Sequence, residues 1–172
     1  MPELPELDPT SGAETAHYVA IRRLQDAYAD VVTRRAWDEL DDLFVPDAAI
    51  ELDTRQGDVI DIAGPRALGE FIADAIERFT FFEFVVLNTR IEIGRGSRAG
   101  TADARLYMCE LRVEGDTGQW NNAFGVYHDR YRLRDTRWWF EHRRYHSLAR
   151  PSVDGATVDA FEFPHHLGLG DL

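Results

Sequence analysis

Between residues 100 and 150, apolar and polar positions alternate with a period of two through runs rich in Tyr, Trp, Phe and Val. Such alternation marks strands, whose successive side chains point to opposite faces. Two clusters interrupt the runs, Glu114-Gly115-Asp116-Thr117-Gly118 and Arg134-Asp135-Thr136-Arg137, and both read as hairpin turns. The stretch predicts three antiparallel strands, long enough to need a twisted, curved sheet. On the first strand one face runs Ala102, Ala104, Leu106, Met108 and then Glu110. A carboxylate that ends an apolar stripe marks either the edge of the core or the wall of a pocket.

Upstream the period changes. In residues 14–35, Tyr18, Ile21, Leu24, Tyr28, Val31 and Val32 recur at steps of three and four, one face of a helix, with Thr15 or Ser11 as candidate cap. Residues 36–44 predict a second, short helix with Trp37, Leu40 and Phe44 inward and four acidic residues outward, stopped by Pro46. Residues 48–52 and 59–62 read as short strands joined through Gln56-Gly57-Asp58. Gly64-Pro65 opens a third helix, since proline suits the first helical turn; its inward positions are Leu68, Phe71, Ile72, Ile76 and Phe79. A long strand at 81–93 and a turn at 94–97 follow. After Arg150 no period is visible, and Phe161 and Phe163 are candidates for pinning a tail to the body.

Three helices with a small hairpin among them, then four long strands, predict an α+β fold, with helices on one face of a strongly curved, mainly antiparallel sheet. Such a sheet leaves a cavity at its open end, where small molecules bind. Length adds the partition. At 172 residues, one domain at 15–150 is expected between a flexible arm at 1–14 and a tail at 151–172.

Composition removes whole classes of function. The net charge of −12 argues against nucleic acid, whose phosphates need a basic surface, and against an anionic membrane. Every basic residue is Arg, which excludes Schiff-base chemistry and a P-loop lysine. The single cysteine, Cys109, excludes an internal disulfide and, inside a strand, reads as a small buried hydrophobe. No apolar run is long enough to span a bilayer. The acidic N-terminus lacks the basic-then-apolar pattern of a signal peptide, so a cytoplasmic location is expected. His128, His142 and His146 fall in the last strands, with His142 and His146 on one face. Neither they nor His165-His166 have the spacing of a metal site, and no metal is expected.

Several local motifs keep a characteristic order. They are Tyr28 and Trp37, then Leu43-Phe44-Val45-Pro46-Asp47-Ala48, residues 64–71, Asn88-Thr89-Arg90-Ile91-Glu92-Ile93, Phe124-Gly125-Val126-Tyr127-His128-Asp129-Arg130-Tyr131, and residues 138–144. Over about residues 15–150 the chain thereby resembles the SnoaL-like group of the nuclear-transport-factor-2-like superfamily. The resemblance implies a cone-shaped fold and, commonly, a homodimer or homotrimer. It does not imply one activity, because the superfamily holds dehydratases, isomerases, cyclases, epoxide hydrolases and plain binding modules. The scytalone and bile-acid dehydratases are the functional parallels, and they work without metal or organic cofactor. Carried over from them, the helix Tyr falls on Tyr28, the second-strand acid/base on Glu110 and a polar third-strand residue on Tyr127. Their helix Asp falls on Thr33 and their first-strand His on Phe84 or Val85, so the Asp–His pair is missing here.

Glu110 has two readings. It is an edge carboxylate paired with Arg112, or a general acid/base whose pKa is raised by partial burial. Tyr28 and Tyr127 either pack with one hydroxyl partner or donate to a substrate oxygen. Asp30, two residues beyond Tyr28, turns away and reads as solvated. Thr33, Trp37, Phe84, Asn88, Met108, Trp120 and His142 are the candidate ligand-contacting residues. Both sheet faces are apolar in places, and the face away from the helices is expected to meet another copy, since a monomer rarely exposes a large apolar patch.

The expected function is that of a cofactor-independent lyase (dehydratase) or isomerase acting on an apolar, ring-containing small molecule of polyketide or steroid type. Glu110 would move the proton, and Tyr28 and Tyr127 would polarise an oxygen. The alternative is a non-catalytic ligand-binding or assembly module that kept the pocket and lost the chemistry.

Overall fold

The computed structural model describes residues 12–94, 96–152 and 155–169. The expected arm at 1–14 lies mostly outside them, and its last three residues are already helical. Helix α1 spans Gly12–Arg34, and its buried residues are Ile21, Leu24, Gln25, Tyr28, Val31 and Val32. The predicted apolar stripe is therefore the core face, with one polar residue, Gln25, added to it. The helix ends where Arg35 adopts a φ of 58° and the Arg35 and Ala36 amides bond back to the Val32 and Val31 carbonyls, a left-handed closure. The Arg35 side chain also donates to the Ile76 and Phe79 carbonyls.

The expected second helix is a 3-10 helix, Trp37–Asp42, and stops short of Phe44. Strand pairing captures Phe44 instead: it opens β1, Phe44–Asp53, pairs with Phe140 and stacks on its ring at 4.6 Å. Pro46 sits inside this strand rather than at a helix end. It is tolerated because the pairing register shifts between Phe44 and Ala49, where no ladder donor is required. Strand β2 is Ile60–Ala63, antiparallel to β1. Helix α2, Pro65–Ile76, begins as predicted at Gly64-Pro65. Gly64 has a φ of 81°, and a Cβ there would lie 2.7 Å from the Pro46 carbonyl oxygen, so only glycine fits. Phe79, expected on the helix, instead starts β3, Phe79–Ile93.

The long strands β4 (Thr101–Glu114), β5 (Trp120–Arg134) and β6 (Arg137–Pro151) follow with the predicted turns. The sheet order is β2-β1-β6-β5-β4-β3. The β1–β6 pairing is parallel, and the other pairings are antiparallel. The region after Arg150, read as a tail without period, holds a seventh strand, β7, Val158–Ala160, paired with the end of β6. Three residues are too few to show a period in sequence. The segment is held further by Phe163 stacked on Tyr107 and by Arg105 donating to the Leu167 carbonyl, so the expected pinning by Phe163 is present.

The helices cover one face of a curved, unclosed mixed sheet, which is the α+β architecture expected. Cross-strand register fixes what faces them. Glu110 pairs with Ala123, Leu106 with Tyr127, Ala104 with Asp129 and Ala102 with Tyr131. On β6, Tyr127 meets Tyr145 and Asp129 meets Arg143. A register shift places Tyr131 opposite Phe140, so β6 carries one extra residue and its alternation changes phase there. No helix among the described residues is long and apolar enough to cross a membrane.

Candidate active site

A cavity of about 180 Å³ opens between α1, α2 and the inner faces of β3 to β6. Its deep wall is aromatic. Tyr28 from α1, Phe84 from β3 and Tyr127 from β5 are all buried there. The Tyr28 ring lies edge-on to Phe84 at 5.4 Å and to Tyr127 at 6.5 Å. Helix α2 contributes Leu68, Phe71, Ile72 and Ile76, an apolar side. Toward solvent the lining becomes polar: Glu110 and Arg112 from β4, Tyr145 and Arg150 from β6, and Arg78 before β3.

One buried polar assembly was not anticipated. Arg143 is 1% exposed and lines the cavity. Its Nε and Nη2 each donate to Asp129 at 2.8 Å. Behind it, the Tyr131 hydroxyl donates to Asp129 at 2.9 Å and accepts from Gln25 Nε2 at 2.9 Å. The guanidinium carbon lies 4.2 Å from the Tyr28 and Tyr127 ring centres and 4.3 Å from that of Phe140. Burial alone would lower the Arg143 pKa, but the charge of Asp129 and the hydrogen bonds to it outweigh burial and raise it. Arg143 is therefore always a cation. Its Nη1 is buried with no hydrogen-bond partner, an expensive state for a donor, and it belongs to a residue that borders the cavity.

Sequence alternation carried a signal for Asp129, which shares a face with Tyr127 and Tyr131. It carried none for Arg143, because the phase change on β6 moves it inward. Gly125 was also missed. A Cβ at Gly125 would lie 2.2 Å from Tyr145 Cε2, so the missing side chain is what lets Tyr145 lie over β5 into the cavity.

Of the residues singled out in the sequence, Tyr28, Phe84, Glu110 and Tyr127 come together around this cavity. The others lie elsewhere. Thr33 turns to β3, where its Oγ1 accepts the Phe84 amide at 3.0 Å. Trp37 packs on α2 beside Gly69. Met108 is fully buried within the core, Asn88 is exposed beside a register shift in β3, and Trp120 is exposed and stacked on Phe81. His142 faces away from the helices, 2.8 Å from Glu51, which also takes two bonds from Arg144. Asp30 is exposed and paired with Arg34, and Cys109 is buried.

Electrostatics separate the cavity groups by role. Burial raises the Glu110 pKa, and Arg112 and Arg150 only partly oppose it. Arg112 approaches Glu110 at 3.3 Å, the pairing expected of an edge carboxylate, and Glu110 lines the cavity as well. Burial also raises Tyr28, despite the nearby Arg143 charge, raises Tyr127 strongly and takes Tyr145 to about 12. All three phenols therefore keep their protons at neutral pH and act as donors. Among the described residues no three His, Cys, Asp or Glu side chains converge as metal ligands do.

The fold is a small α+β architecture with a cavity between its helices and its curved sheet, and the comparisons agree on the fold. The chain belongs to the SnoaL-like domain family, whose profile matches residues 13–144. No curated protein matches it in sequence. Among solved structures, a scytalone dehydratase-like protein from Novosphingobium aromaticivorans superposes with a TM-score of 0.66 at 17% identity, covering 87% of this chain and 91% of its own. The hexachlorocyclohexane dehydrochlorinase LinA-type3 from Novosphingobium barchaimii gives 0.66 at 17% identity, covering 86% and 92%. Rv3472 from Mycobacterium tuberculosis, a protein of unknown function, gives 0.65 at 20%, covering 87% and 80%. At these identities the likeness is one of fold.

Proposed function

We propose that the cavity is the active site of a cofactor-independent lyase or isomerase acting on an apolar, ring-containing small molecule. The observation that carries this reading is Glu110, the only carboxylate among the described residues that line a largely apolar cavity, with its pKa raised by burial. A carboxylate so placed exchanges protons near neutral pH more readily than a solvated one.

In the reaction, ionised Glu110 takes a proton from a carbon next to a substrate carbonyl. The electron pair moves onto the carbonyl oxygen, which becomes an enolate. Tyr28 and Tyr127 line the cavity as donors for that oxygen, with the Arg143 cation packed against both rings, and donors already oriented before charge develops are the effective ones. Protonated Glu110 then returns its proton to a different carbon, giving an isomer, or to a departing hydroxyl, giving an elimination. Two structural neighbours are named for a dehydratase and a dehydrochlorinase; both activities are eliminations, which favours the lyase option.

A second reading is a binding or assembly module without chemistry. It is favoured by Thr33 and Phe84, which stand where an Asp and a His would complete the dehydratase pattern; the Thr33 hydroxyl instead accepts the Phe84 amide. Glu110→Gln separates the two. The enzyme reading expects turnover of a ring ketone or hydroxyketone to be lost, with the fold and ligand affinity kept. Turnover that survives the change contradicts it, and a wild-type protein that binds such compounds without converting any favours the module.

A further inference from the structure

We propose that the ligand of this cavity carries a carboxylate on its apolar body, held at the cavity mouth by Arg150 and Arg112. The inference deepens the reading above, since it rests on that cavity being the ligand site. It starts from a charge contrast. The chain has a net charge of −12, yet four arginines line the cavity, Arg78, Arg112, Arg143 and Arg150, against one carboxylate, Glu110.

The four are not equivalent. Arg143 is neutralised by Asp129 behind it. Arg78, largely exposed, lies 3.6 Å from Glu114. Arg112 is 4% exposed in its side chain and approaches Glu110 at 3.3 Å. Its best hydrogen bond, at 2.7 Å, goes to the neutral Asn121. Arg150 makes no ion pair among the described residues; its Nη1 donates to the Thr54 carbonyl at 3.2 Å. With Arg78 set against Glu114 and Arg112 against Glu110, Arg150 is the lining arginine without an ion pair among the described residues, and Asp159 is its cross-strand neighbour on β7.

Cations held against an apolar wall lose hydration and need a compensating anion. A planar carboxylate matches the guanidinium fork, and both arginines line the same cavity as the rings of Phe84 and Tyr127. A carboxylate held by these arginines leaves the phenols of Tyr28 and Tyr127 for a second, neutral oxygen. The preferred substrate class is thus an acidic ring compound bearing a carbonyl or hydroxyl, with a neutral ring ketone bound more weakly.

Matched probes test this by calorimetric titration at low salt: 2-naphthoate against 2-naphthamide, which share a ring and differ in charge. The acid is expected to bind at least about tenfold more tightly, the scale of one charge-assisted hydrogen bond. Arg150→Gln is expected to reduce that ratio about tenfold, and Arg150→Lys to retain part of it. Thermal melts confirm that the variants fold. The proposal is overturned if the amide binds as well as the acid, if no acid binding is seen at millimolar concentration, or if the ratio survives Arg150→Gln. Ala123→Phe fills the cavity opposite Glu110 and serves as the locating control. If acid and amide bind equally and both are lost in Ala123→Phe, this inference fails while the site reading stands. If binding persists in Ala123→Phe, the cavity is not the ligand site and both fail.

Discussion

Arg143 grips Asp129 side-on through two hydrogen bonds of 2.8 Å, and the pair is sealed from solvent at 1% and 0% side-chain exposure. The pair ties β5 to β6 beneath the cavity floor, and Tyr131 and Gln25 extend it to α1. Removing one partner strands the other charge in the core. Asp129→Asn is therefore expected to cost about 3–5 kcal/mol, the usual penalty for breaking a buried pair. Denaturant unfolding measures it, and a loss below about 1 kcal/mol would show that the pair is not desolvated as described.

Gly125 and Tyr145 are coupled by space. A Cβ at Gly125 overlaps the Tyr145 ring, so Gly125→Ala is expected to drive Tyr145 from its place on β5 and destabilise the fold by about 1–3 kcal/mol, as overpacking does. Tyr145→Ala in the same chain removes the obstacle. A double-mutant cycle should then give a favourable coupling of at least about 0.5 kcal/mol; strict additivity would mean the ring yields freely.

His128 sets an acid limit on stability. It is buried against Arg105 and His146, and burial followed by the Arg105 charge brings its pKa down to about 4. The folded state thus binds its proton later than the unfolded chain does, near 6.5. Stability is complete above that value and falls as pH drops from 6.5 toward 4. About 2 kcal/mol should be lost between pH 7.5 and pH 5 from this group alone. Melting curves across that window should steepen in the wild type and flatten in His128→Gln, and parallel profiles would remove His128 as the cause.

The reach of the sequence differed between fold and site. Period-two alternation located β4 to β6 and their turns, and the 3–4 period located α1 and its buried face, because those signals arise from one side of each element meeting the core. Phe44 and Phe79 were assigned to helices because each is apolar at the right helical step, and only long-range pairing with Phe140 and Glu114 shows them to be strand residues. Glu110 was visible as a carboxylate ending an apolar stripe on a regular strand. Arg143 was not, since the extra residue on β6 reverses the alternation before it. Met108 shows the converse limit, since a shared face does not say how far along a strand the cavity extends, and His142 is turned outward by the same extra residue on β6.

Proton exchange at the carbon next to a ring carbonyl measures the proposed chemistry without knowledge of the natural substrate. Incorporation of deuterium from heavy water into 2-tetralone, followed by proton NMR, reads that step directly. The wild type is expected to accelerate exchange, with an acid limb displaced above the ordinary glutamate range near 4.3, as the raised pKa of Glu110 requires. Glu110→Gln should lose the acceleration by about 10²-fold or more together with that limb, while still binding the ketone. Exchange that proceeds equally in Glu110→Gln would contradict Glu110 as the group that moves the proton.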